Sequence, residues 1–187
     1  MADLFANDEA AAGAVPLAER LRPRTLDEVV GQAALTGPDG AITRMVAAGS
    51  LSSLILWGPP GTGKTTIARL LADAVGMRFV AISAVFAGVA DLIGEAREAA
   101  RAGQRTLLFV DEIHRFNRAQ QDGFLGPMED GTITLVGATT ENPSFELNAA
   151  ILSRARVLIV KRLDEAALAE LLARAEALAG RELPVTD

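Results

Sequence analysis

The sequence predicts an α/β fold in which helices cover both faces of a parallel sheet. Short apolar runs alternate with helix-like segments along most of the chain, a pattern typical of parallel strands that are buried on both sides. One such run, at 54–57, leads directly into the glycine-rich segment GPPGTGKT at 58–65. Another, at 106–110, ends in the acidic pair Asp111 and Glu112. These observations predict a nucleotide-binding loop and an acidic edge on one sheet.

Composition limits the class of protein. The 187 residues, half of them hydrophobic, are enough for one sizeable domain, or for one domain and part of a second. The net charge of −6 means that any DNA contact would need local basic patches. The absence of cysteine excludes disulfides and thiolate metal sites and fits a reducing cytoplasm. We expect no membrane partner, because no apolar run approaches the roughly 18 residues of a membrane span and the amino terminus lacks a basic signal region.

The individual elements follow from length and periodicity. Residues 1–15 predict a disordered acidic tail, and 26–32 and 41–48 predict short helices. The amphipathic run at 164–187 predicts one helix that begins a helical lid, and we expect the rest of that lid to lie outside the 187 residues. The predicted strands lie at 54–57, 79–82, 106–110, 134–137 and 157–160, and the predicted helices between them at 65–75, 89–101, 118–129 and 147–153.

Residues 58–65 match the phosphate-binding pattern G-x-x-x-x-G-K-[ST]. The glycines let the backbone turn tightly, and successive N–H groups then face the oxygens of a polyphosphate. Lys64 is predicted to reach the β and γ phosphates, and the Thr65 hydroxyl to bind Mg²⁺. The bound cofactors are therefore expected to be ATP and Mg²⁺. The nucleotide-binding residues expected here are Gly58, Pro59, Pro60, Gly61, Thr62, Gly63, Lys64, Thr65 and Thr66.

The acidic pair should lie at the carboxyl edge of the sheet, where the phosphates also lie. Asp111 is predicted to hold Mg²⁺, and Glu112 to polarise the attacking water. The strand at 134–137 should lie beside the strand that carries these acids. The candidates for contact with the γ-phosphate or the water after that strand are Thr139, Thr140 and Asn142.

Longer strings make the likeness specific. ILWGPPGTGKTTIARLLA, FVDEIHRFNRAQQDGFLGPMEDGTITLVGATTENPSFELN and ILSRARV resemble the AAA+ group of P-loop NTPases. Within that group, residues 16–163 resemble the replication-associated recombination protein A family. The resemblance implies a DNA-dependent ATPase that acts at stalled forks, gaps or DNA ends. It further implies a nucleoid-associated homo-oligomer, a tetramer in full-length members, with single-stranded, gapped or forked DNA and single-strand-binding protein as partners.

The same resemblance implies residue roles. Thr140 would sense the γ-phosphate, with Asn142 as a second candidate. Arg154 would act as a finger on a neighbouring subunit's ATP, with Arg156 as the fallback. Ser83 would restrain the catalytic glutamate until DNA binds. The backbone around Val30 and Gly31 would line the adenine pocket, and the implied catalytic residues are Glu112, Lys64, Thr140 and Arg154. The family's sensor 2 arginine and tetramerisation region fall outside these residues.

Three further features leave alternatives open. His114 follows the acidic pair, but a loop or interface role is favoured because the expected chemistry does not require it. The tail segment ADLF resembles the end of a sliding-clamp-binding peptide, with Leu4 and Phe5 as anchors; the alternative is a tail that binds nothing. The candidate basic patch comprises Arg97, Arg101, Arg105, Arg115 and Arg118, and ion pairing with Glu95 and Glu98 explains the first three equally well.

Other functions also fit the motifs. A Holliday-junction branch-migration motor carries similar GPPGTGKTT, DEIHR and GATT segments, but its family resembles GATTRAG and RDRFG where this chain has GATTENPSF and LSRAR. A clamp-loader subunit shares the finger element but lacks ISAVFAGV and ENPSFELN. A non-enzymatic alternative is a nucleotide-gated scaffold for DNA or clamp, which the intact acidic pair disfavours.

Overall fold

The computed structural model of the chain describes residues 16–83 and 89–183. Within these ranges five parallel strands form one sheet. They are β1 (Leu54–Trp57), β2 (Arg78–Ser83), β3 (Thr106–Asp111), β4 (Ile133–Thr139) and β5 (Arg156–Ile159). Their order across the sheet is β2-β3-β4-β1-β5. The predicted parallel sheet is confirmed, and β4 lies between the strand of the phosphate loop and the strand of the acidic pair.

The helices occupy the connections, as predicted, with several differences. The segment expected to be a helix at 26–32 is a short 3-10 turn at Leu26–Glu28. A second 3-10 turn, Ile113–Arg115, follows β3. Three short helices were not predicted, at Leu17–Arg20, Ala33–Thr36 and Pro143–Glu146. The helices are α1 (Leu17–Arg20), α2 (Ala33–Thr36), α3 (Ala41–Ala47), α4 (Lys64–Ala74), α5 (Val89–Arg101), α6 (Arg118–Asp122), α7 (Leu125–Glu129), α8 (Pro143–Glu146), α9 (Ala149–Leu152) and α10 (Glu165–Ala179).

The helix predicted at 118–129 is divided into α6 and α7. Asn117 begins α6 with a capping box, in which its side chain and that of Gln120 each bond the other's backbone N–H. Pro127 has no N–H to donate to the carbonyl four residues earlier, at Gly123, and its ring crowds that carbonyl. The helix therefore ends at Asp122 and restarts at Leu125.

The sheet is packed on both faces because alternate strand residues point to opposite sides. On one face, the core includes Leu56 and Phe109 of the sheet together with Ile67 and Leu71 of α4. On the other face, Ile55, Leu108 and Val110 pack with side chains from the segments after β3 and β4 and from α5. The residues contributed by those segments include Ala96, Phe116, Phe124, Leu147 and Ile151.

Contacts divide the chain into two units. One, residues 23–164, contains the sheet. In the other, α1 contacts α10, and the Arg20 guanidinium donates a hydrogen bond to the carbonyl of Leu178 at 2.9 Å. The sequence boundaries placed residues 16–22 with the ATPase core, whereas these contacts group them with α10. In the described ranges, every helix is too short or too polar to cross a membrane.

Candidate active site

The phosphate loop, the acidic pair and the turn after β4 lie at one edge of the sheet. In the parallel register, Trp57 at the end of β1 is paired with Thr139 at the end of β4. The N–H of Gly58 donates to the carbonyl of Thr139 at 3.1 Å, so the loop starts beside this turn. Asp111 ends β3, which is the next strand across. Parallel strand order thus places the three predicted parts of the site together, at the edge where α/β proteins bind ligands.

The loop has the backbone of a phosphate cradle. Gly61 and Gly63 adopt φ of 73° and 88°, a region that residues with a Cβ rarely occupy. A Cβ at either position would meet no atom within 4 Å, so both glycines border open space. Gly63 immediately precedes α4, whose first-turn N–H groups and dipole favour an anion. This geometry fits a polyphosphate.

Gly58 is required for a different reason, since a Cβ there would lie 2.0 Å from the carbonyl oxygen of Val160. We predict that Gly58→Ala destabilises the protein by roughly 1–3 kcal/mol, because the clash is with backbone that cannot rotate away. Chemical denaturation would measure the change. Gly94→Ala in α5, where a Cβ meets nothing within 4 Å, is the matched control and should be neutral or stabilising. Equal stability of the two variants would contradict the prediction.

Lys64 is buried, with 8% of its surface exposed. Its ammonium donates hydrogen bonds to the carbonyls of Gly58 and Pro59, each at 2.8 Å. Burial lowers the pKa of Lys64, while the charges of Glu112 and Asp111 raise it. The structure therefore brings Lys64 and both acids within electrostatic reach of one another. Neutral carbonyls now hold the ammonium, and a polyphosphate would offer it a stronger, charged partner.

Glu112 has a strained backbone. Its φ of 50° and ψ of 46° lie in the left-handed region, and it is the one non-glycine residue with positive φ in the described part of the chain. The N–H of Glu112 donates to Oδ1 of Asp111 at 3.1 Å, which supports this turn. Such conformations cost about 1–3 kcal/mol and cluster at functional sites.

His114 lies in the turn after β3, as a loop role predicts, and from there it contacts both Glu112 and Thr139. Its Nε2 atom lies 3.3 Å from Oε2 of Glu112. Its Nδ1 atom lies 3.0 Å from the hydroxyl oxygen of Thr139, which is fully buried. The 3-10 turn after β3 folds the ring back between the ends of β3 and β4. Sequence reasoning missed this because the contact with Thr139 depends on the pairing of two strands.

The polar residues after β4 have distinct surroundings. Thr139 accepts a hydrogen bond from the N–H of Glu141 at 3.0 Å and faces His114. Thr140 is the next residue and is half-buried. Asn142 caps α8, because its Oδ1 accepts from the N–H of Ser144 at 3.0 Å and Pro143 follows at the first helical position. Asn142 thus has a structural role here.

The segment expected to line the adenine pocket is linked to the phosphate loop through Gln32. Gln32 is buried, and its amide group donates to the carbonyl of Lys161 at 2.8 Å and accepts from the same residue's N–H at 3.1 Å. Gly31, with φ of 75°, turns the chain immediately before it. Val160, next to Lys161, approaches Gly58 most closely. Val30 and Gly31 are therefore held near the start of the loop.

The arginine candidates lie away from the phosphate loop of their own chain. Arg156 is paired with Leu54 at the start of β1, three residues before the strand ends at Trp57. At about 3.3 Å per residue, this is roughly 10 Å along the sheet from the loop. Arg154 precedes β5 by two residues, donates to the carbonyl of Ala150 at 2.9 Å and forms an ion pair with Glu129. Neither arginine joins the site built by Lys64.

The predicted basic patch is divided between opposite ends of the sheet. Arg105 immediately precedes β3, whereas Arg115 and Arg118 follow its other end. Arg97 lies near Asp130, whose pKa is lowered mainly by hydrogen bonds from Thr132 and further by that arginine. Because β3 separates the two groups, the five arginines do not form one surface. Ser83 pairs with Asp111 in register, but its side chain is outside the described part, as are Leu4 and Phe5.

The sequence matches the ATPase family associated with various cellular activities (AAA) over residues 54–163, more than half of the chain. The chain belongs to the AAA family. It is 55% identical to "Replication-associated recombination protein A" of Coxiella burnetii over 86% of this chain and 37% of that protein. It is 45% identical to "ATPase WRNIP1" of Dictyostelium discoideum over 85% of this chain and 18% of that protein. The predicted resemblance to replication-associated recombination protein A is confirmed.

The AAA fold is also confirmed by solved structures. The RuvB Holliday junction branch migration motor of Thermotoga maritima has a TM-score of 0.70 and 32% identity, over 86% of this chain and 55% of that one. The chain spans a little over a third of the length of the Coxiella relative. The matches therefore describe the ATPase core and not the whole of the longer proteins.

Three residues of this AAA chain escaped sequence reasoning. Gln32 joins the segment before the sheet to the end of β5, His114 joins the acidic pair to β4, and Glu129 holds Arg154. Gln32 directly follows the Val-Val-Gly run assigned to the adenine pocket, and this position was the only feature of the sequence that pointed to it. The signal for His114 was its position directly after the acidic pair, but its contact with Thr139 depends on which strands are neighbours. Glu129 carried no signal in the sequence.

Proposed function

We propose that the protein is a DNA-dependent AAA ATPase that acts at stalled replication forks, gaps or DNA ends in replication-coupled recombination and repair. The supporting observation is the convergence of Lys64, Asp111 and Glu112 at one edge of the sheet. Similarity to a relative named for replication-associated recombination supports the cellular context. The acidic net charge implies that DNA binds to local features and not to the whole surface.

The residues divide the chemistry of phosphoryl transfer among them. Lys64 neutralises charge on the β and γ phosphates, and Thr65 and Asp111 hold Mg²⁺. Glu112 orients and polarises the attacking water, and Thr140 contacts the γ-phosphate. Phosphoryl transfer requires little covalent chemistry from the protein, so the rate enhancement comes from positioning and electrostatic stabilisation. The remaining members of the nucleotide site are Val30, Gly31, Gly58, Pro59, Pro60, Gly61, Thr62, Gly63, Thr66 and Asn142.

The proposed partners follow from the family. They are single-stranded, gapped or forked DNA, single-strand-binding protein, and further copies of the chain, which each supply Arg154 to a neighbour. A nucleoid-associated location in the cytoplasm accords with these partners. Leu4 and Phe5 are proposed to dock on the sliding clamp, and a pulldown with the Leu4→Ala/Phe5→Ala variant tests this separately.

The central test is ATP hydrolysis by the full chain with single-stranded, gapped and forked DNA. We expect DNA to stimulate hydrolysis. Lys64→Ala should weaken nucleotide binding by roughly ten- to a hundredfold, because hydrogen bonds to charged groups contribute about 1.5–3 kcal/mol. Calorimetry with ATP and Mg²⁺ measures the binding. Hydrolysis that DNA leaves unchanged would contradict the DNA-dependent function, and undiminished binding by the variant would contradict the site.

The structural match to a branch migration motor favours one alternative function. Movement of a four-way junction by the full chain, at rates matching its ATP hydrolysis, would support that alternative over action at forks and gaps. The proposed function is preferred because the identity to the recombination relative, 55%, exceeds the 32% identity to the motor.

A further inference from the structure

Glu112, His114 and Thr139 form a continuous set of polar contacts between the ends of β3 and β4. His114 Nε2 lies 3.3 Å from Oε2 of Glu112, and His114 Nδ1 lies 3.0 Å from Oγ1 of Thr139. The N–H of Glu141 donates to that same hydroxyl oxygen at 3.0 Å. The set joins the glutamate after β3 to the turn after β4.

One arrangement of protons satisfies both contacts of the imidazole, and in it the Thr139 hydroxyl donates to Nδ1 at 3.0 Å in preference to the carbonyl of Glu141 at 3.3 Å. With the imidazole proton on Nε2, the ring presents a donor to the Glu112 carboxylate, and Nδ1 accepts the hydroxyl proton of Thr139. Thr139 Oγ1 retains a lone pair for the N–H of Glu141. Every donor then points toward the carboxylate, so each contact polarises the next in one direction.

The two sides of the imidazole are held unequally. Thr139 is fully buried and fixed by its pairing with Trp57, and its 3.0 Å contact is an ordinary hydrogen-bond length. The 3.3 Å separation from Glu112 exceeds the roughly 2.7–2.9 Å of a well-formed charge-assisted hydrogen bond. The Glu112 side chain also remains 31% exposed. The ring is therefore anchored to β4, and the carboxylate is the partner free to separate.

We propose that His114 is a positioning residue that sets the Glu112 carboxylate relative to the end of β4. The proposal rests on the proposed function, in which Glu112 polarises the attacking water. The imidazole, anchored on Thr139, holds the Glu112 carboxylate in a fixed relation to the turn after β4, whose Thr140 is proposed to contact the γ-phosphate. His114 acts through Glu112 and contacts no phosphate itself.

Three substitutions separate the two contacts of the ring. His114→Gln places an amide near the position of Nε2 and loses Thr139. His114→Asn places an amide near Nδ1 and loses Glu112, and His114→Ala loses both. In the full chain with ATP and Mg²⁺, we expect Ala and Asn to lower kcat by about ten- to a hundredfold, the scale of a misplaced catalytic group, with KM unchanged. His114→Gln should retain more turnover than His114→Asn.

A control and a double variant distinguish positioning from loss of stability. Gln120→Ala removes the capping contact to the N–H of Asn117, 2.9 Å long, and leaves the three residues intact. It should lower thermal stability without changing kcat. In the Glu112→Gln background, His114→Ala should lower kcat no further, because its effect passes through Glu112. Wild-type kcat in His114→Ala, or an equal loss in both backgrounds, would overturn the proposal.

Spectroscopy tests the same contacts without turnover. His114 is the one histidine in the 187 residues, so its imidazole nitrogen signals are unambiguous in a ¹⁵N spectrum of a protein made of these residues. We expect the Nε2–H tautomer, a shift of the Nδ1 signal in Thr139→Val and a shift of the Nε2 signal in Glu112→Gln. An imidazole that responds to neither variant overturns the inference. If both variants shift the imidazole signals but the wild type does not hydrolyse ATP, only the proposed function is overturned.

Discussion

Glu112→Gln is expected to bind ATP and Mg²⁺ as the wild type does and to lose nearly all turnover. The amide keeps the size of the side chain but cannot accept a proton or polarise water as a carboxylate does. General-base catalysis contributes about 10²–10⁴-fold, so kcat should fall by at least a hundredfold. The charge near Lys64 also falls by one, which removes part of the attraction that now raises the pKa of that ammonium. Single-turnover hydrolysis with saturating ATP measures the loss.

Asp122→Asn is the matched control for this substitution. Asp122 lies at the end of α6 and accepts a hydrogen bond from the side chain of Asn148 at 2.7 Å, outside the phosphate site. The same change from acid to amide there should leave kcat intact. Hydrolysis by Glu112→Gln at the wild-type rate would remove Glu112 from the role of base. Loss of binding together with turnover would show that the glutamate holds the nucleotide instead.

The core of the site was predictable because its signals are local. The strand, the loop and the helix that form the phosphate cradle are contiguous, from Leu54 to Ala74, and the acidic pair is adjacent in sequence. Alternation of strands and helices then places both segments at one sheet edge without further information. The glycines at 61 and 63 adopt the positive φ that the motif requires.

The contacts that complete the site were not predictable in the same way. Gln32 and Lys161 are separated by 129 positions, and His114 and Thr139 by 25. Such pairs depend on strand order and on the path of a turn, and neither leaves a periodic pattern in the sequence. The prediction of one helix at 118–129 could have been corrected from the sequence alone, because Pro127 within that range indicates a break in the helix.

Arg154 is expected to act on the nucleotide of a neighbouring copy. Within its own chain, the residue precedes β5 at the sheet edge opposite the phosphate loop and is tied to Ala150 and Glu129. A charge held there cannot reach the Lys64 site of the same chain. Arginine fingers supply about 10³–10⁵ in kcat, so Arg154→Ala should lower hydrolysis by about a thousandfold with nucleotide binding intact.

Mixing two inactive variants tests whether the finger acts between subunits. Arg154→Ala binds nucleotide but offers no finger, and Lys64→Ala offers a finger but binds poorly. Mixed assemblies should recover hydrolysis, because an intact Arg154 then faces an intact phosphate loop in a neighbouring copy. Arg156→Ala is the control, because Arg156 lies within the sheet at the start of β5. This variant should still supply Arg154 to a neighbouring copy. Mixed assemblies that form but stay inactive would show that Arg154 does not complete a neighbour's site.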